Sequence, residues 1–153
     1  MNVSQRGIDL IKRFEGVILH SYLCPKGVLT IGVGHTGSDV TKDMVITEKD
    51  AENLLKKDLR KFESKLNFCL EQDHITVNQN QFDACISFIF NLGFSAFIFS
   101  TLYKKLKAGD YTGASNEFLK WVYITKTVNG ERIKIRLKGL ETRRNAERDL
   151  FLS

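Results

Sequence analysis

The stretch that most restricts the fold is residues 16–37, where five of the chain's 11 glycines and its only proline punctuate a run of β-branched and aromatic residues. A helix does not tolerate that density of glycine, whereas short strands joined by tight turns require it. The pattern predicts two or three short strands with a closely specified backbone, a small β-lobe over about residues 14–45.

The segment before it reads as a helix. Ile8, Ile11 and Phe14 fall at helical spacing, Ser4 is placed to cap the start and Gly16 to stop the end. Glu15 therefore stands at the C-terminal end, where the helix dipole disfavours a carboxylate. That, together with burial under the following segment, is expected to push its pKa upward.

Beyond Asp39 the chain turns helical. The capping box "TEKD" (residues 47–50) precedes Ala51, Leu54, Leu55, Leu59, Phe62 and Leu66 on one face. A second box, "TVNQ" (residues 76–79), precedes "FDACISFIFNLG", which is apolar all round and marks the buried centre of a larger helical lobe. Further helices are expected over 96–107, 111–121 and 140–150, with breaks at Gly109-Asp110 and before Gly139. "YITKTVNGERIKI" alternates about Asn129-Gly130, a hairpin signal with a type I′ turn. No repeat or linker separates the lobes, so 1–153 reads as one domain, with a helical lobe made of helix 4–15 and residues 46–153.

The net charge of +5 suits a polyanionic partner, but no nucleic-acid docking element or aromatic platform accompanies it, so nucleic acid is not expected. Cys24, Cys69 and Cys85 are too few and too odd in number for a disulfide framework, which places folding where thiols stay reduced. The N-terminal residues lack the continuous apolar core of a signal peptide, and no run is long enough for membrane insertion.

Three residues are placed for chemistry across a cleft between the lobes: Glu15 at the helix end, and a thiol and a hydroxyl, Cys24 and Thr30, in the β-lobe. Taken alone, the same residues also read as a solvated helix end, a small hydrophobe and a strand residue. The surrounding residues decide between the two. "EGxxLxxYxCxxGxxTIGxGH", followed in order by "QFDACISFIFNLG", "STLYKKLKAGDYTGASNEF", Trp121 and "GLETRRNAERDLF", resembles the phage-type lysozyme family, endolysins and muramidases of glycoside hydrolase family 24, along essentially the whole chain. Its signature is a helix-ending Glu, eight residues, Asp or Cys, five residues, Thr; here that is Glu15, Cys24 and Thr30.

The resemblance implies an α+β lysozyme-like fold, an N-terminal helix and small antiparallel β-lobe against a larger all-helical C-terminal lobe, with glycan in the cleft. It implies hydrolysis of the β-1,4 bond between N-acetylmuramic acid and N-acetylglucosamine in peptidoglycan, causing lysis. Glu15 is then the general acid, since the reaction needs a carboxylic acid that stays protonated near neutral pH. Cys24 takes the place of the usual Asp, as a thiolate base on water, as a thiolate nucleophile, or as a space-filler beside Glu15 and Thr30. An unperturbed thiol is only a few per cent ionised at pH 7, the Glu15 charge opposes ionisation, and Lys26 or a protonated His20 would offset it. Thr30 orients water, because its hydroxyl both donates and accepts.

By family position, Thr36, Phe90, Asn91, Thr101, Asn116 and Trp121 fall near substrate, and His35 pairs with Asp58 as a pH-dependent staple between β-lobe and long helix. Arg144 is the implied ion partner of Glu15, and the rest of "RRNAER" reads as a solvated helix. Phe88, Phe90, Phe94, Phe97 and Phe99 read as core rather than a sugar-stacking strip. No partner stands at metal spacing from His35, so neither metal nor cofactor is expected. The basic hairpin, with Lys126, Arg132, Lys134, Arg136 and Lys138, is either a solvated loop or an attractor for anionic wall polymer whose effect falls with salt. The resemblance further implies a monomer acting on glycan strands, held in the host cytoplasm without a signal peptide and released by a holin-like lesion. A lytic transglycosylase using Glu15 alone, or a silent peptidoglycan-binding module, are the competing readings.

Overall fold

A computed structural model describes residues 1–153. Helix α1 (Gln5–Glu15) stops at Gly16, whose φ of 78° glycine adopts without strain and whose N–H closes on the Lys12 carbonyl at 2.9 Å. Ser4 occupies the N-cap position but makes no side-chain cap bond; its hydroxyl donates instead to Asp83, a fully buried carboxylate. A buried carboxylate needs donors more than a helix end near solvent does, so the tertiary tie replaces the expected cap.

Strands β1 (Ile18–Leu23), β2 (Leu29–Gly32) and β3 (His35–Thr36) form an antiparallel sheet in chain order. Pairing of Leu23 with Leu29 and Tyr22 with Thr30 fixes the turn of residues 24–28 between β1 and β2. The far edge of β1 is covered by residues 44–46, through Ser21 N to Met44 O at 2.8 Å and Ile46 N to Leu19 O at 2.9 Å.

Helix α2 (Glu48–Gln72) begins at Thr47 with both halves of the expected capping box in place. It buries Ala51, Leu55, Leu59 and Leu66, while Leu54 and Phe62 are half-buried at the edges of that face. Helix α3 (Gln79–Leu92) is the core of the helical lobe, with residues 82–89 all buried. Its capping box is two residues later than "TVNQ": Asn78 accepts from Gln81 N at 2.8 Å, and Gln81 Oε1 accepts from Asn78 N at 2.9 Å. Asparagine serves the N-cap as well as threonine, and Gln81 completes the reciprocal bond that Gln79, at the next position, cannot reach.

The helix expected over 96–107 is two, α4 (Phe94–Ile98) and α5 (Thr101–Lys107), because Ser100 accepts from Tyr103 N and starts a new helix. Helix α6 (Tyr111–Glu117) continues as a 3-10 turn, Phe118–Lys120. Strands β4 (Tyr123–Val128) and β5 (Glu131–Arg136) form the hairpin; Asn129 and Gly130 have φ of 51° and 80°, the type I′ signature. Helix α7 (Lys138–Leu152) closes the chain against α3. One apolar cluster joins residues of α1, α2, α3, α4, α5, α6 and α7 to Val33 of the β-lobe. Phe88 and Phe97 lie in it, Phe90 and Phe94 pack against it, and Phe99 departs from the core reading at 81 % exposed, on the turn that separates α4 from α5. No helix is long and apolar enough to cross a membrane.

Candidate active site

Glu15 is carried to the junction of the lobes by its position as the last residue of α1, one glycine before the chain enters the β-lobe. Its side chain is 28 % exposed and borders a cavity of about 480 Å³ that it shares with Phe14, Asn91, Arg143 and the start of α7 at residues 137–140. The sequence reading paired Glu15 with Arg144. The structure gives the pair to Arg143, whose Nη1 lies 2.6 Å from Glu15 Oε1. Adjacent helical residues diverge by about 100°, and Arg144 turns instead to Asn91, donating from Nη2 at 2.5 Å, with its guanidinium 5.2 Å from the centre of the Phe88 ring.

Nor is "RRNAER" solvated throughout, although Asn145 is exposed. Arg143, Arg144 and Glu147 are all buried, because this face of α7 packs on α3. Glu147 accepts from the Ser87 hydroxyl at 2.7 Å and from Arg143 Nε at 3.2 Å, and Arg144 Nε stands 3.1 Å away. Burial pushes the Glu147 carboxyl up, opposed chiefly by the Arg144 charge.

Cys24 opens the turn between β1 and β2. Its backbone N–H donates to Val28 O at 3.0 Å, and its carbonyl accepts from Gly27 N at 2.8 Å. Hydrogen bonding from the Val28 backbone, and secondarily from that of Lys26, holds the thiol below its ordinary value. Burial opposes the two backbone contributions, and the Thr30 hydroxyl and the Lys26 ammonium each add less than burial takes away. The offset named from sequence was a side-chain cation; the larger causes are backbone donors. Thr30 is 4 % exposed, and its hydroxyl donates to Val28 O at 2.9 Å. Having a single proton, it serves either that carbonyl or the sulfur at one time. Thr36, exposed on β3, is the register partner of Thr30.

His35 is 6 % exposed, with Nδ1 2.8 Å from Asp58 Oδ2 and Nε2 2.9 Å from Asp39 Oδ2. Burial is the largest single influence on its pKa and lowers it, but the bonds to Asp58 and Asp39 together raise the net value. Asp39, not singled out from sequence, was signalled only by its spacing four residues after His35.

The residues expected near substrate divide among different places. Asn91 borders the Glu15 cavity. Phe90, the preceding residue on α3, turns elsewhere and packs edge-to-face on Phe62 at 6.3 Å. Thr101 and Trp121 share a second cavity of about 360 Å³ with Glu117, Lys120, Tyr123, Thr125 and Lys134. Trp121 also packs edge-to-face on Phe88 at 5.3 Å, and Asn116 is exposed on α6 and borders neither cavity. Arg143 and Glu147 were missed, although their i,i+4 spacing is the signal that pairs them.

An ionisable residue at a helix end with a buried arginine pair behind it, and a polarised thiol in the β1–β2 turn, can be compared with known proteins. The endolysin of Acyrthosiphon pisum secondary endosymbiont phage 1 is 46 % identical over 153 residues, covering 100 % of this chain and 99 % of that protein. The endolysin of Bacillus phage B103 is 43 % identical over 155 residues; this chain spans 55 % of that longer relative. Among solved structures, the endolysin from Escherichia coli O157:H7 phage FAHEc1 matches with a TM-score of 0.85 at 35 % identity, covering 100 % of this chain and 94 % of that one. The phage lysozyme family model matches residues 12–147, a span that holds Glu15, the whole β-lobe and the buried arginine pair, and the chain belongs to that family.

Proposed function

We propose that this chain is a lysozyme that cleaves the β-1,4 bond between N-acetylmuramic acid and N-acetylglucosamine, with Glu15 as general acid, Cys24 in the place of the second carboxylate and Thr30 positioning water. Membership of the phage lysozyme family makes it a peptidoglycan hydrolase of glycosidase type. The feature that supports the finer reading is the Cys24 thiol, held below its ordinary value chiefly by the Val28 and Lys26 backbone of the turn that Cys24 N–H closes on Val28 O at 3.0 Å. Donors aimed at a sulfur favour its anion, and an anion is what the second position must supply, to activate water or to stabilise the oxocarbenium-like centre. A space-filling cysteine needs none of them. In this reading the enzyme works as a monomer on glycan strands and reaches the wall from the host cytoplasm through a holin-like lesion.

Mass spectrometry of muropeptides released from purified peptidoglycan tests the reaction. The expected product carries a hydrated reducing end, and Glu15→Gln releases at least about 100-fold less of it. Products lighter by one water would instead identify a lytic transglycosylase.

A further inference from the structure

Arg143 lies between two carboxylates. One end of its guanidinium, Nη1, is 2.6 Å from Glu15, and Nε donates to Glu147 at 3.2 Å. Arg144 approaches the other oxygen of Glu147 at 3.1 Å and otherwise bonds only the neutral Asn91; its Nη1 makes no hydrogen bond. The side chains of Glu147 and Arg144 are fully buried and that of Arg143 nearly so. Two guanidiniums thus share one carboxylate, leaving a net charge of about +1 behind Glu15.

The surrounding elements add no other counter-charge. From α3 come Ser87, Asn91 and Cys85, whose thiol burial and the Glu147 charge keep neutral. From α1 comes Glu15 itself, and the start of α7 contributes Lys138 at the cavity rim. Arg148, further along α7, is half-buried and forms no ion pair.

We propose that Glu147 is a positioning and charge-setting residue for Glu15: it directs Arg143 toward Glu15 and cancels one of the two buried positive charges behind that carboxyl. The proposal rests on the reading of Glu15 as general acid. An acid donates only while protonated, and each uncompensated cation a few ångströms away favours the ionised form, with little solvent between to screen it. Glu147 therefore sets how far toward alkaline pH the enzyme works, without touching substrate.

The test compares pH profiles of peptidoglycan hydrolysis for wild type, Glu147→Gln, Arg144→Gln and the double variant, with Glu15→Gln as baseline and Asn145→Ala, at an exposed position of the same helix, as a neutral control. Glu147→Gln is expected to move the alkaline limb down by about one pH unit, and Arg144→Gln to move it up by a similar amount. The double variant, which restores the net charge, returns it near wild type, and Asn145→Ala leaves it in place. Should Glu147→Gln not fold, Arg144→Gln and the double variant carry the same comparison. Loss of rate without movement of the limb, or movement of both single variants in the same direction, overturns the proposal. An active Glu15→Gln overturns the general-acid reading itself, which keeps the two failures apart.

Discussion

His35 is bonded at both ring nitrogens by carboxylates, and this makes the stability of the β-lobe depend on pH in a definite direction. Its folded-state pKa is raised above the unfolded value of 6.5, so the contribution is complete below 6.5 and is lost as pH rises through the raised value. Asp39, held down by His35, contributes above its unfolded value of 3.8 and loses that contribution as pH falls through the lowered one. Thermal unfolding of wild type and His35→Asn should therefore differ most between these limits and converge above the folded His35 pKa; a difference that persisted unchanged at alkaline pH would contradict the staple. At this scale the sequence named candidates for the chemistry and showed less of what surrounds them. Asp58 was named through family position, but Arg143 was not preferred to Arg144, since two neighbouring arginines carry no mark of which faces inward. The backbone influence on Cys24 was invisible for another reason: every residue but proline has a backbone N–H, and only the closed turn of residues 24–28 decides which of them act on the thiol.

Helices and strands were legible wherever local chemistry decides them. The glycine-rich stretch folds as three strands, Thr47 caps α2, and Asn129-Gly130 turns the hairpin as their residue types require. Misses occurred where two local signals competed. Thr76 and Asn78 both suit an N-cap, and the choice fell to the residue whose third successor, Gln81, returns the bond. Asn78→Ala should therefore lower stability by about 1 kcal/mol in denaturant unfolding, with Thr76→Ala close to neutral. The reverse ranking would return the cap to Thr76. In the hairpin, register gathers Arg132, Lys134 and Arg136 opposite Thr127, Thr125 and Tyr123 on one face, a cationic surface that alternation implies but does not orient.

Across the whole molecule, the candidate site is assembled by long-range contacts that tie helix to helix and the β-lobe to α2. Ser4 and Asp83 tie the start of α1 to α3, His35 and Asp58 tie the sheet to α2, and the Glu15–Arg143–Glu147–Ser87 chain joins the end of α1 to α7 and α3. Family resemblance made the α+β architecture legible before these contacts were seen; burial of the arginine pair was not, because charged residues on a terminal helix default to solvent. The central claim is that this scaffold puts a working thiolate where a second acid belongs. Turbidity loss of permeabilised bacteria tests it most directly, for wild type, Cys24→Ser and Cys24→Asp over about pH 5 to about pH 9, with Glu15→Gln as baseline. The account predicts that wild-type activity first rises with pH, that Cys24→Asp stays active without that rise, and that Cys24→Ser falls by at least about 100-fold. A Cys24→Ser enzyme as active as wild type at every pH would contradict it.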